Sequence, residues 1–172
     1  MVPRMTELAN KTFIVTGANT GIGKITATDL ARRGAHVILA CRSKDKTTPV
    51  IDEIKRVTGN DKVEFVQLDL GDLASVRSCA EALRARNIPF HGLVNNGGLA
   101  AKRGLTKDGF ELAFGTNHLG HYLFTRLLLD RVKEAGTARI VNVSSASHYR
   151  AKGIDWDALR STTKSFTAMH EY

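Results

Sequence analysis

Long apolar runs are missing from this sequence of 172 residues. The longest, Val37 to Cys41, falls far short of the roughly 20 residues that a membrane-spanning helix needs. The N-terminus carries no apolar core of signal-peptide type, so the expectation is a cytoplasmic chain with no membrane span. Cysteine is scarce as well. The two present, Cys41 and Cys79, have neither the spacing of a metal site nor the density of a disulfide framework, which predicts buried free thiols and no metal. The glycines do not follow GxGxxG. A P-loop ending on Gly23 and Lys24 would need glycine at position 18 and Ser or Thr at 25, where Ala18 and Ile25 stand. No GxSxG elbow surrounds Ser144 or Ser145, which disfavours a serine hydrolase. A basic block is lacking too: the net charge is +8, but Lys and Arg are dispersed among acids. That pattern suits a solvated basic surface or an anionic small ligand, not nucleic acid.

What is present, 42% hydrophobic and 24% charged residues, is the composition of one globular domain over 1–172, with 1–10 as an N-terminal extension. The stretch from Lys11 to Lys24, KTFIVTGANTGIGK, organises the rest. Thr12 to Val15 form an uninterrupted β-branched and aromatic run, as a strand buried on both faces requires. Gly17, Gly21 and Gly23 follow at once. Gly17, Ala18, Asn19, Thr20, Gly21, Ile22 and Gly23 therefore make a candidate nucleotide cradle, where a pyrophosphate can approach backbone N–H groups at the start of a helix. The alternative is an ordinary glycine-rich turn.

Ile22 to Arg33 then reads as a helix stopped by Gly34, and His36 to Ala40 as a second buried strand. Where NAD-binding folds place an acid after that strand, Arg42 stands instead. A guanidinium grips a 2′-phosphate that a carboxylate would repel, so Arg42 favours NADP, with Ser43 and Lys44 as assistants; otherwise it is a surface cation. Thr48 to Gly59 predicts a helix capped by Thr48 with Pro49 in its first turn. Val63 to Leu68 is the third strand, ending on Asp69 and Leu70, and Leu73 to Arg86 an amphipathic helix that Asp69 or Asp72 caps. Gly92 to Asn95 is the fourth strand, leading into Asn95, Asn96, Gly97 and Gly98. A short helical piece lies around Asp108 to Phe114. The longer helix from Asn117 past Val132 has an apolar face too broad for one sheet contact, so it is deeply buried or shared with another subunit. Arg139 to Val143 is the fifth strand, with Ser144 and Ser145 at the C-terminal end, where doubly wound sheets keep their chemistry.

TGANTGIG, Thr16 to Gly23, resembles the cofactor loop of short-chain dehydrogenases/reductases. Asn95 to Gly98 resembles their NNAG segment with Gly97 in place of Ala, a change expected to loosen the turn. VILACR, TNHLGHYLFTRLLLD and RIVNVSS resemble the retinol-dehydrogenase-like branch. The resemblance implies an α/β fold: a doubly wound parallel sheet of Rossmann type, order 3-2-1-4-5, with the C-terminal strands missing and an exposed edge at strand five. It implies NADP as cofactor, with Asp69 and Leu70 against the adenine and Asn95 at the cofactor's border. It implies a small-molecule alcohol or carbonyl substrate whose oxygen Ser145 meets, a proton-relay water near Asn117, and a homo-oligomer through the helix at 117–134. The family's proton donor is a tyrosine followed four residues later by lysine. Tyr122 is followed there by Arg126 and Tyr149 by Gly153, which leaves Tyr172 as the catalytic tyrosine, 146–172 as the insertion leading to it, and the lysine beyond the sequence. Two functions are expected on this basis: an NADP-dependent oxidoreductase interconverting an alcohol and a carbonyl, or a non-catalytic cofactor-binding or interaction fragment.

Overall fold

The computed structural model describes residues 7–150, 153–164 and 166–168. Five strands, β1 (Thr12–Thr16), β2 (His36–Cys41), β3 (Val63–Gln67), β4 (Gly92–Asn95) and β5 (Arg139–Asn142), form one sheet of order β3-β2-β1-β4-β5. Every pairing is parallel. The helices α1 (Gly21–Arg32), α2 (Lys44–Thr58), α3 (Leu73–Arg84) and α4 (Gly120–Glu134) cross between the strands. This is the expected doubly wound α/β sheet.

The sheet explains why β1 and β2 read as unbroken apolar runs. Successive side chains point to opposite faces, and both faces are covered. Ile14, Ile38 and Ala40 join the core beneath α3 and α4 with Phe124, Leu128 and Val132. Val15, Val37, Leu39 and Cys41 join the core beneath α1 and α2 with Ala27, Ala31, Ile51 and Ile54. A parallel strand buried twice has no polar side to show. The broad apolar face of α4 is also accounted for in part within the chain: Phe124 and Leu128 are fully buried, while Leu123 and Leu127 pack partly buried against the same core. Tyr122 projects outward, 60% exposed. At the β5 edge, Val141 is 48% and Val143 43% exposed. Among the described residues no helix is long and apolar enough to cross a membrane.

Two local expectations change. Helix α2 starts at Lys44, ahead of Thr48, because the Ser43 hydroxyl accepts the Lys46 N–H at 3.3 Å and caps it. Pro49 consequently sits inside the helix, where it lacks a hydrogen to donate. Thr47 and Thr48 both turn their hydroxyls back on the first-turn carbonyls of Ser43 and Lys44. The long helix, in turn, is not α-helical from its start through Val132: after Leu112 and Ala113, Phe114–Leu119 form a π-helical turn that runs directly into α4.

The segment after β5 is tied down on one side. Glu111, 3% exposed, accepts the Phe114 N–H and the Thr163 hydroxyl, and its own N–H reaches the Leu159 carbonyl at 2.8 Å. The Arg160 guanidinium lies 4.2 Å from the centre of the Phe110 ring, a cation–π contact.

Between α2 and β3, Asn60 is 4% exposed and spends its whole amide on backbone. Its Nδ2 donates to the carbonyls of Ala31 and Ala35, both at 2.8 Å, and its Oδ1 accepts the Lys62 N–H at 3.0 Å. Truncation takes the Asn60 donor from the Ala35 carbonyl and leaves the Ala31 carbonyl with backbone N–H donors only, that of Gly34 among them. Asn60→Ala should therefore cost about 2 kcal/mol and lower the thermal midpoint by roughly 4–8 °C; an unchanged midpoint in thermal melts would show that the residue is not a tie between α1 and β3.

Candidate functional site

The glycine loop is built by close approach. Gly17 and Gly21 adopt φ of 62° and 54°, the left-handed region, which a side chain disfavours. A Cβ on Gly17 would lie 2.5 Å from the Gly97 Cα, and one on Gly23 would lie 2.4 Å from Asn96 Nδ2 and 2.7 Å from the Gly17 carbonyl oxygen. The helix that follows is left open. Ser43 caps α2 and Asp72 caps α3 through the N–H groups of Ala74 and Ser75, but Thr20 makes no side-chain cap on α1, and the first turn of α1 holds no acid. The free N–H groups and the positive end of the helix dipole together form an anion cradle.

The cradle borders a cleft of about 400 Å³ that brings together Gly17, Asn19, Arg42, Asp69 and Leu70. Ala18 is fully buried behind it, while Thr20, Gly21, Ile22 and Gly23 form the entry into α1, with Ile22 66% exposed. Arg42 stands just past β2. Its carbonyl accepts Gln67 Nε2 at 2.6 Å, and its guanidinium makes no ion pair with any described residue. Of the two acids considered as cap for α3, Asp72 takes the role, which leaves Asp69 in the cleft with its Oδ1 on the Gly71 N–H at 3.0 Å. Lys102 and Lys107 also line the cleft, and Lys107 pairs with Asp72 at 2.6 Å, which holds that carboxyl below its usual range. The sequence reading missed both lysines, because they lie in an irregular loop with no periodicity to mark them. Cys41 lines the cleft too, but burial raises its pKa, so it stays a thiol.

The remaining candidates lie across the β1–β4 junction. Asn95 turns away from the glycine cleft. Its Nδ2 donates to Thr125 Oγ1 at 2.9 Å and Asn142 Oδ1 at 2.7 Å, and its buried Oδ1 has no partner among the described residues. It lines a separate hollow of about 350 Å³ with Asn117, His121, Tyr122 and Ser144. The neighbouring Asn96 is the one that holds the loop, with Nδ2 on the Thr16 carbonyl at 2.9 Å. Gly97 is fastened by its backbone: its N–H meets Thr16 Oγ1 at 2.8 Å, and a Cβ there would lie 2.9 Å from Leu70 Cδ1. Asn117, in the π turn, clamps the Leu99 backbone with Oδ1 on the N–H and Nδ2 on the carbonyl, both at 2.9 Å. Asn117 and Ser145 meet in a third hollow of about 220 Å³ that His121 and His148 also line. Tyr172 lies outside the described residues.

A family model described as short chain dehydrogenase matches residues 11–169. Mouse retinol dehydrogenase 11 is 51% identical over 144 residues, covering 83% of this chain and 46% of that protein. Human retinol dehydrogenase 13 is 43% identical over 171 residues, covering 99% of this chain and 51% of its own length. The chain thus spans about half the length of the curated relatives it matches. Among solved structures, a Mycobacterium paratuberculosis protein superposes with a TM-score of 0.79 at 38% identity, over 98% of this chain and 58% of its own. A structure described as an Escherichia coli short chain dehydrogenase complexed with NADPH gives 0.74 at 25% identity, over 91% and 67%.

Two outcomes follow from this geometry. Gly17→Ala meets both a left-handed φ and a backbone neighbour, and should cost about 3 kcal/mol, whereas Gly97→Ala meets no positive φ and, besides a movable Leu70 methyl at 2.9 Å, only looser contacts of 3.3 Å with the Gly17 N and Thr16 Oγ1, and should cost less; equal melting of the two variants would refute the close-approach account. His91 and His121 are both held below the ordinary 6.5 by burial. The unfolded chain then takes up their protons first, so stability should be full above about 6.5, fall as the pH drops below it, and level off once the folded values are passed. Thermal midpoints from pH 8 to 5 check this, and a flat profile would contradict it.

Proposed function

The chain belongs to the short chain dehydrogenase family, as a retinol-dehydrogenase-like member, and from that premise we propose that it binds NADP and serves an alcohol–carbonyl interconversion. The observation that carries this reading is that the glycine loop leading to the uncapped N-terminus of α1 lines, through Gly17 and Asn19, the same cleft as Arg42, whose guanidinium has no ion pair among the described residues, with no carboxylate at the end of β2. The residues fit a dinucleotide. Gly17 and Gly23 leave the space that a Cβ would fill, and the free N–H groups of α1 offer donors to a pyrophosphate. Arg42 offers a two-pronged donor to a 2′-phosphate, Lys102 adds positive charge to the same cleft, and Asp69 and Leu70 offer an acceptor and an apolar wall to the adenine.

When bound, the cofactor supplies or accepts the hydride. The chain's own residues do the rest of the work. Ser145, at the C-terminal end of β5, orients the substrate oxygen through its hydroxyl. Tyr172 exchanges the proton, and that general acid–base role is worth about 10²–10⁴ in rate. Asn117 acts through the Leu99 backbone, which lines the glycine cleft, while its own side chain borders both hollows. The substrate class on this reading is a small alcohol or carbonyl compound. Self-association through the helix at 117–134 belongs to the same reading, with the exposed Tyr122 on its outer side. If NADPH binds but no carbonyl compound is turned over by the 172-residue chain, the second reading, a cofactor-binding fragment, takes its place.

The test is a thermal-shift titration of the purified chain with NADPH and NADH in parallel. At a hundredfold excess over Kd, binding to the native state adds about 2.7 kcal/mol, or roughly 5–10 °C for a chain of this size. NADPH should raise the midpoint at lower concentration than NADH. Arg42→Ala should weaken NADPH about tenfold or more while leaving NADH nearly unchanged, given about 1.5–3 kcal/mol for a charged hydrogen bond. A variant that loses both cofactors equally, or none, would remove Arg42 from the role.

A further inference from the structure

Thr16 is fully buried, and its hydroxyl oxygen has four polar neighbours. Oγ1 lies 2.9 Å from the Asn96 N, 2.8 Å from the Gly97 N, 2.8 Å from His121 Nε2 and 3.4 Å from the Val94 carbonyl oxygen. A hydroxyl has one proton to give and two lone pairs to fill. Backbone N–H groups only donate, so Asn96 and Gly97 take both lone pairs. The proton must leave toward His121 or Val94, and His121 has the hydrogen-bonding distance. Nε2 is therefore the acceptor and carries no proton. The ring proton sits on Nδ1, where the Asn117 carbonyl oxygen accepts it at 2.8 Å.

The alternative assignments are worse. A proton on Nε2, in the other tautomer or in a charged ring, would face Thr16 with three donors for two lone pairs, and would send the hydroxyl proton to Val94 at 3.4 Å. The surroundings also disfavour a charged ring. His121 is 7% exposed. Among the described residues, the titratable groups around it are His118 and Tyr122 on its own helical stretch and His148 beyond β5, and no carboxylate lines either hollow that His121 borders. From β1 it meets Thr16, and Asn95, Asn96, Gly97 and Gly98 at the end of β4, which share its hollows, carry no titratable group.

We propose that His121 is a positioning residue for the cofactor loop. By taking the Thr16 proton it keeps Thr16 as acceptor for the 96–97 turn, and by donating to the Asn117 carbonyl it ties that turn to the π-helical segment. Asn117 extends the line to Leu99. The sequence marked Asn117 in TNHLGHYL but not His121, because nothing in local spacing shows that residues 16 and 121 share a proton. The expected consequence for NADPH affinity rests on the cofactor reading above; the hydrogen-bond directions do not.

The test uses the full 172-residue chain with His121→Gln and His121→Leu. Nitrogen-15 NMR of the wild-type ring at pH 7 should show a protonated Nδ1 and a bare Nε2, and a protonated Nε2 would overturn the proposal. Amide exchange at Asn96 and Gly97 should be about tenfold faster in His121→Leu, for one lost hydrogen bond. It should return close to wild type in His121→Gln, whose amide oxygen reaches the Nε2 position. Corrected for intrinsic rates, exchange should accelerate in wild type as the ring protonates, but not in His121→Gln. Equal exchange in wild type and His121→Gln at every pH, together with equal exchange in a folded His121→Leu, would overturn it; if His121→Leu fails to melt cooperatively, the ring tautomer and the pH contrast with His121→Gln decide. NADPH affinity should follow the same order, about tenfold weaker in His121→Leu. A wild type with the expected ring and exchange but no NADPH binding would support the positioning role and defeat the cofactor reading instead.

Discussion

The contact on which this molecule depends is the near-collision of two backbones, at Gly17 after β1 and Gly97 after β4. Neighbouring parallel strands whose helices leave in opposite directions open a crevice at their C-terminal ends, and the order β3-β2-β1-β4-β5 places that point between β1 and β4. The width of the crevice is set by how closely the two turns pack. Here they pack without side chains between them, and Thr16 fastens them with its hydroxyl and its carbonyl. The open end of α1, Arg42 and the Asp69 carboxyl are placed relative to that seam.

Charge follows the same geometry. The basic surplus is dispersed in the sequence, but the fold gathers part of it: Arg42 after β2 and the loop lysines Lys102 and Lys107 after β4 come to one cleft. Lys107 is largely answered by Asp72, so the cleft's potential rests on the other two together with the helix end. A net charge is a weak clue by itself; its placement around a backbone cradle is a specific one.

Much of the fold was legible because it rests on short-range rules. Uninterrupted runs such as HVILA report a strand covered on both faces, and the spacing of Leu73, Val76, Cys79, Ala80 and Leu83 reports the buried stripe of α3. Where two caps compete within a few residues the rules are less decisive, and Ser43 outranks Thr48 through a hydroxyl contact that no pattern contains. The site was legible where it rests on glycine spacing and strand ends, as at Gly17, Asn19, Arg42, Asp69 and Leu70. It was opaque where two polar residues stand side by side. Asn95 and Asn96 face opposite sides of the β4 end, and only the alternation of the chain there decides which one holds the loop.

The π turn at Phe114–Leu119 is, in another description, a shift of phase. One residue advances an α-helix by about 100°, so widening a single turn rotates everything beyond it relative to everything before. Within the widened turn, Asn117 is aimed at Leu99; downstream, Phe124, Leu128 and Val132 are aimed at the sheet. A regular helix through the same sequence would have to choose between these two bearings. The irregularity lets one continuous rod address the site and the core from different angles, which makes the length of that turn as strict a requirement as the identity of any side chain on it.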